Sequence, residues 1–299
     1  MVNNTIQYDI IIEEGKKMKL SDVKQKLSQY QIYAKKHLGQ NFLIDENILN
    51  KITDIINDST YSVIEIGPGL GSLTKKLLNK YTQVLCYEID PDMIKVLKAS
   101  FNDKRLIILE QDFLKSNLES DTSTYLGTKK VILIANLPYY ITTAILTKIL
   151  EEAPFIKQMV VMMQKEVADR ICGVPSTKDY NSLSVLMQFL TNAKVLFSVP
   201  PQSFYPMPEV ESSVVFIERK NIFIVEPINM EYFLKFNRII FSQRRKTLLN
   251  NIYTNLKYDK SLIEEILLKN GFLINIRAEA LSVDEIVILS NEFYLRLNN

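Results

Sequence analysis

Residues 132–146 read ILIANLPYYITTAIL: an apolar run ends on Asn136, and Leu137, Pro138 and Tyr139 follow before a helical segment begins. A strand ending on an amide, a proline and two tyrosines can be an ordinary turn, with Thr142 or Thr143 near the cap of the next helix. It can also be the floor of a site for a flat, nitrogen-bearing ring. The exocyclic amine of a purine is a poor nucleophile, because its lone pair is delocalised into the ring. The Asn136 side-chain oxygen and the Leu137 carbonyl would accept its N–H groups and turn that lone pair toward an electrophile. Pro138 would stiffen the loop, and the Tyr139 ring would stack on the base, a contact that contributes about 1–3 kcal/mol. No strong base is needed, because the amine becomes acidic once alkylated. Catalysis would be positioning plus removal of the base from its stack. A lone tetrapeptide leaves both readings open.

A second constellation lies upstream. VIEIGPGLGSLTKKL puts Gly67, Gly69 and Gly71 between a strand and a helix. Glycines there let the backbone approach a ligand, and the helix start adds exposed N–H groups. Glu88 ends the next strand, 21 residues after Gly67, a spacing that suits a carboxylate accepting hydrogen bonds from ribose hydroxyls. Asp112 ends the third strand run, within reach of an adenine edge. A dinucleotide site would want G-x-G-x-x-G/A, and Ser72 stands at the last position. The pattern G-x-G-x-G preceded by Glu65 instead resembles the first motif of S-adenosylmethionine-dependent methyltransferases. A ligand-free glycine turn would not need the two well-placed acids.

The elements that must position these residues are legible in the pattern. Apolar strand runs are YSVIEIG, QVLCYEID, RLIILEQD and KVILIAN, followed by QMVVMMQ, AKVLFSV and SSVVFIERK. Between the early runs lie the helical GSLTKKLLNKY and PDMIKVLKASF, the latter opened by Pro91. Asp45 is placed to cap a helix over ENILNKITDIIN, and a basic helical lead-in is expected over 20–36. Strands alternating with helices predict a mostly parallel sheet covered on both faces. Beyond residue 219 the pattern turns helical: MEYFLKFNRIIFSQRRKTLLNNIY, KSLIEEILLKNGF and SVDEIVILSNEFYLRL. A small helical domain is expected there.

Bulk properties exclude more than they assign. The chain has 299 residues, 47% apolar and 23% charged, as in ordinary globular proteins. A net charge of +2 gives no argument for nucleic-acid binding, which must come from where the charge sits. Yet residues 235–260 hold seven Lys/Arg against one acid, Asp259. Cys86, in an apolar run, reads as a buried thiol. Two distant cysteines and one histidine make neither a disulfide framework nor a metal site, which suits a reducing cytoplasm. No apolar stretch is long enough to span a bilayer, and the start lacks the pattern of a signal peptide. Codons for Glu13 to Lys17 can spell a ribosome-binding sequence just before Met18, so Met18 is expected to be the natural start, the alternative being that residues 1–17 are a genuine extension.

Taken together, the chain resembles the ribosomal RNA adenine N6,N6-dimethyltransferases, and within them the bacterial small-subunit branch. The likeness rests on HLGQNFL (37–43), EIGPGLGSLT (65–74), YEID (87–90), QDFL (111–114), NLPYYI (136–141) and QKEVADR (164–170). It continues through SVPPQSFYPMPEVESSVV (198–215) and FSQRRKTL (241–248). The resemblance implies an α/β fold: a Rossmann-like class I methyltransferase sheet of seven strands, the last antiparallel, with a small C-terminal helical domain. The implied divisions are an extension and lead-in helix (1–34), the methyltransferase domain (35–219) and an rRNA-recognition domain (220–299). S-adenosyl-L-methionine is the implied donor, held by Asn41, Leu43, Gly67, Gly69, Glu88, Asp112 and Asn136. The implied substrate is a pair of adjacent adenosines near the 3′ end of 16S rRNA, each dimethylated on N6 during small-subunit biogenesis. Asn136, Leu137, Pro138 and Tyr139 would then carry the reaction. Phe204 is either a second ring against the base or a buried aromatic in a proline-rich loop.

Arg244, Arg245 and Lys246 would contact phosphates, with a solvated helix face as the alternative. Lone His37 is expected to be structural. Asn181 departs from the family pattern, which usually has glycine after the tyrosine; asparagine tolerates positive φ, so the turn is expected to survive. A cytoplasmic monomer without membrane attachment is expected. The competing readings are the sister Erm-type enzymes acting on 23S rRNA, a non-catalytic RNA-binding assembly factor and, more distantly, a nicotinamide dehydrogenase. Leu137 in NLPY, HLGQNFL and FSQRRKTL favour the small-subunit enzyme over the first, and an intact NLPY argues against the second.

Overall fold

The computed structural model describes residues 20–35, 38–127 and 130–298. Met18 and His37 lie outside the described residues. The lead-in helix, α1 (Leu20–Gln29), is shorter than the expected 20–36. It stops because Gln31 adopts a left-handed φ of 53° and the Ile32 N–H bonds back to the Leu27 carbonyl. A two-residue strand, β1 (Phe42–Leu43), follows, then α2 (Glu46–Asp54), whose first N–H groups bond to the expected Asp45 cap.

The main sheet begins at β2 (Ser62–Ile66). Three strand–helix alternations follow: α3 (Ser72–Lys80), β3 (Gln83–Glu88), α4 (Pro91–Ser100), β4 (Leu106–Glu110), α5 (Leu118–Leu126) and β5 (Val131–Asn136). Asp90 caps α4 and Pro91 opens it, as expected. Then come α6 (Thr142–Glu152), β6 (Gln158–Gln164), α7 (Lys165–Ile171), α8 (Ser182–Leu190), β7 (Thr191–Val199), the short β8 (Phe204–Tyr205) and β9 (Ser212–Arg219).

Seven of these strands form one sheet in the order β4-β3-β2-β5-β6-β9-β7. Only β9 runs against its neighbours, so the last strand in the chain is the antiparallel one. The order reverses between β2 and β5, the switch point at which open α/β sheets leave a crevice beyond their carboxyl ends. Alternate residues divide between two cores. Val63, Val84, Ile132 and Val160 pack with α2 and α3, whereas Ile64, Leu85, Leu133 and Met159 pack with the helices of the other face. Both faces are covered, which is why the central strands read as continuous apolar runs.

The C-terminal helices are α9 (Met230–Ile240), α10 (Leu248–Leu256), α11 (Lys260–Lys269) and α12 (Val283–Asn298). Their apolar faces share one cluster with the second face of the sheet. The helical run expected over 230–253 is broken at 241–247, so the basic cluster sits in a turn and not on a helix face. Buried Asn251 causes the break by donating to the carbonyls of Ile240 and Gln243, while Thr247 accepts from the Asn250 N–H and starts α10. Asn181 also differs from expectation. Its φ is −155°, ordinary extended backbone, and it caps α8 in a reciprocal box with Ser184. Asparagine there supplies a cap, not a left-handed turn.

Candidate active site

At the switch point a cavity is lined by five segments: residues 38–43, the glycine loop with the end of β2, the end of β3, the residues after β4, and residues 136–141. Asn41, Leu43, Gly67, Gly69, Glu88, Asp112, Asn136, Leu137, Pro138 and Tyr139 all line it. Lining residues up to 103 positions apart, from Leu38 to Ile141, had no local reason to meet; the parallel strand order brings them to one edge.

The glycine loop is held from two sides. The Gly67 N–H donates to the Tyr87 carbonyl at 2.9 Å, and the Gly69 N–H donates to Glu88 Oε2 at 3.2 Å. Gly69 has a φ of 56°, and a Cβ there would lie 3.1 Å from the Phe42 ring. At Gly71, φ 81°, a Cβ would lie 2.5 Å from the Phe101 ring, so any side chain would be strained and would displace that ring. Glu88 Oε1 accepts from the N–H groups of Ile89 and Asp90 at 2.9 Å each. Burial nevertheless holds its pKa above the usual carboxylate range, outweighing these bonds. Asp112 Oδ1 accepts from the Leu114 N–H at 3.0 Å, which fixes the carboxylate at the cavity wall.

Residues 38–43 close the cavity from above. The Asn41 carbonyl accepts from Asn136 Nδ2 at 3.4 Å, and Leu43 pairs with Phe204 across the β1–β8 ladder. The near end of this segment is anchored on Asp90. Lys35 Nζ donates to Asp90 Oδ1 at 2.6 Å and Gln40 Nε2 donates to Oδ2 at 2.7 Å. Burial alone would raise the Asp90 pKa, but the bonds from Lys35, the Asp92 N–H and Gln40 together hold it below the usual range.

In the NLPY segment, the Leu137 N–H donates to the Met162 carbonyl at 3.0 Å and prolongs the β5–β6 ladder. The Pro138 carbonyl accepts from the Ile141 N–H and from Thr142 Oγ1 at 3.0 Å, which locks the turn. Asn136 Oδ1 is buried and finds no hydrogen-bond partner among the described residues. A buried acceptor left without a donor costs about 1–3 kcal/mol, so it is a place where a ligand N–H is wanted. The Tyr139 hydroxyl lies 2.5 Å from Ser212 Oγ. Burial raises its pKa.

Four expected substrate contacts lie outside this cavity lining. Phe204 is 3% exposed and sits in the apolar cluster of α2 and α3, outside the cavity lining, because its pairing with Leu43 turns the ring inward. Arg244, Arg245 and Lys246 are exposed in the turn after α9. Arg244 donates to Glu279 Oε2 at 2.9 Å and to the Thr177 carbonyl at 3.5 Å, tying the loop before α8 to the C-terminal region.

Sequence reasoning missed the Lys35–Gln40–Asp90 anchor, Ser212 and the state of Glu65. Glu65 is fully buried beneath the glycine loop; burial pushes its pKa up to about 7, against hydrogen bonds from Thr74 (2.7 Å) and Cys86 (3.4 Å). Its place before the first glycine was a usable signal. The partners of Asp90 and Tyr139 left none. Among the described residues no group of acidic, His or Cys side chains could hold a metal ion, and no helix is long and apolar enough to cross a membrane.

Known proteins share the sequence and the fold. The family model for ribosomal RNA adenine dimethylase matches residues 32–294. The ribosomal RNA small subunit methyltransferase A of Bacillus pumilus is 42% identical over 90% of this chain and 94% of its own. That of Mycoplasma capricolum is 39% identical over 88% of this chain and 98% of its own. Among solved structures, a dimethyladenosine transferase from Plasmodium falciparum superposes with a TM-score of 0.69 at 26% identity, covering 85% of this chain and 98% of that one. The 23S rRNA methyltransferase ErmE shares the fold, with a TM-score of 0.57 at 23% identity, covering 87% of this chain and 100% of that one. A glycine loop, two acids and an NLPY turn at one sheet edge, together with these likenesses over nearly the whole chain, establish that the protein belongs to the ribosomal RNA adenine dimethylase family and is a methyltransferase.

Proposed function

We propose that the protein dimethylates N6 of two adjacent adenosines near the 3′ end of 16S rRNA, using S-adenosyl-L-methionine, during small-subunit biogenesis. The observation that carries this reading is the buried Oδ1 of Asn136, without a partner among the described residues, at a cavity that Tyr139 also lines. An acceptor that lacks a donor, in a cavity that an aromatic side chain also lines, suits an exocyclic amine on a flat base. The residues present also fit the donor. Glu88 would take the ribose hydroxyls and Asp112 the adenine edge, with Asn41, Leu43, Gly67, Gly69 and Asn136 around the remainder. When bound, S-adenosylmethionine supplies a methyl group activated by its sulfonium.

The chain's own work is orientation. Asn136 Oδ1 and the Leu137 carbonyl accept the amine's N–H groups, Pro138 holds the turn, and Tyr139 stacks on the base taken from its helix. Glu88 and Asp112 accept from backbone N–H groups and Glu65 from the Thr74 and Cys86 side chains, so each carboxylate lining the cavity is held by a donor of this chain, consistent with a reaction that needs no strong base. Residues 220–299 would recognise the rRNA. Arg245 and Lys246 are exposed for phosphates, and Arg244 would contribute through its outer face while held by Glu279. The protein would act as a monomer in the cytoplasm.

The test is methyl transfer from tritiated donor to separated ribosomal subunits from a strain lacking the gene, with mass spectrometry of the labelled rRNA. Dimethyladenosine pairs in small-subunit rRNA are expected. Label confined to large-subunit rRNA would replace this reading with the Erm-type one, and no transfer with intact RNA binding would leave an assembly factor.

A further inference from the structure

We infer that Ser212 is a positioning residue for methyl transfer, its hydroxyl holding the Tyr139 ring at the angle from which it meets the target base. The inference rests on the stacking role proposed for Tyr139. Stacking by itself needs a ring and no hydroxyl, yet here the hydroxyl is engaged, 2.5 Å from Ser212 Oγ.

The main chain around Tyr139 is fixed by the Pro138 carbonyl, which accepts from the Ile141 N–H and Thr142 Oγ1. Those bonds leave rotation about the Tyr139 side-chain bonds free. The bond at the tip of the ring removes that freedom, because a ring tethered at both ends cannot swing out of the base plane. Rotamer freedom given up before the base arrives is not lost on binding.

Ser212 is built as an anchor. It is 0% exposed and opens β9, opposite Gln164 of β6 and Val199 of β7. Strands on both sides hold it rigid at the carboxyl edge of the sheet where the cavity lies. A hydroxyl buried this completely is costly unless it is hydrogen-bonded, and its partner is the Tyr139 hydroxyl. The antiparallel direction of β9 matters here: its first residue, not its last, is brought to the site.

The test is a double-mutant cycle on the single-turnover rate of methyl transfer to small subunits, using wild type, Ser212→Ala, Tyr139→Phe and the double variant. Cofactor Kd and thermal stability are measured in parallel, with Tyr139→Ala as reference. Each single variant should lose about five- to tenfold in rate, and the double should lose no more than either single, because one bond is broken in all three. Cofactor Kd should be unchanged. Unaltered rates in the single variants, or losses that multiply in the double, would overturn the inference. So would coupling seen in stability alone, since that marks mere packing. Failure of the functional reading looks different: wild type would then not methylate small-subunit adenosines, or Tyr139→Ala would be fully active.

Discussion

Replacing Glu88 removes more than a negative charge. Its Oε1 accepts the N–H groups of Ile89 and Asp90, and its Oε2 accepts that of Gly69. Each carboxylate oxygen keeps further acceptor capacity, which two ribose hydroxyls would use. Losing hydrogen bonds to a charged acceptor costs about 1.5–3 kcal/mol, which weakens donor binding about 10- to 150-fold. Glu88→Ala also releases Gly69 from β3, so its loss belongs at the upper end. Acidification should act on the same group. Burial raises the Glu88 pKa in the free protein, while hydroxyl donors favour the ionised form and lower it in the complex. Affinity is therefore full above the free-state pKa and falls as pH drops through it. Isothermal titration calorimetry with S-adenosylmethionine, run from about pH 8 to about pH 5 on wild type, Glu88→Ala and Glu88→Gln, checks both points. The variant-to-wild-type ratio of Kd should be large at high pH and shrink on acidification. A folded Glu88→Ala protein that binds within twofold of wild type would show that the ribose is held elsewhere.

Three further outcomes follow from the same structure. Glu65, with a folded pKa of about 7 against 4.5 unfolded, binds its proton more tightly in the native state. Its contribution is fully present below the unfolded value and is lost as pH rises through the folded one, an effect of about 3 kcal/mol. Urea unfolding of wild type and Glu65→Gln from about pH 4 to about pH 8 should give curves that diverge by that amount; parallel curves would contradict the buried-acid assignment. Asn181→Ala should cost about 1 kcal/mol by removing the α8 cap, and Asn181→Gly only a few tenths, as measured by chemical denaturation. In subunit binding across a salt series, Arg245→Ala with Lys246→Ala should lower the slope by about two units. Arg244→Ala should lower the slope less and also lower stability slightly, because its guanidinium bonds to Glu279 and Thr177; slopes equal to wild type in all variants would remove this turn from the rRNA contact.

Whatever depends on a few neighbouring residues was legible in the chain itself. Continuous apolar runs marked the central strands buried on both faces, Asp45 and Pro91 marked helix starts, and the glycines after β2 with Glu88 ending β3 and Asp112 just past β4 marked a ligand edge. Their periodicities and turn chemistry act over one or two turns of chain, so reading them needs no fold. The break at 241–247 was not legible, because Asn251 ends α9 by reaching back to carbonyls of the preceding turn, and its burial is a tertiary fact. Asn181 showed the same limit: its side chain could suit a left-handed turn or a cap, and the backbone chose the cap. Phe204 could face either way from a two-residue strand, and pairing with Leu43 sent it into the core. Long-range partners left no trace at all. Asn41 and Asn136 meet across 95 residues, Tyr139 and Ser212 across 73, and Lys35 and Asp90 across 55. Such pairs are chosen by the order and direction of strands, so only the assembled sheet decides which hydroxyl faces Tyr139 and which carboxylate holds Lys35.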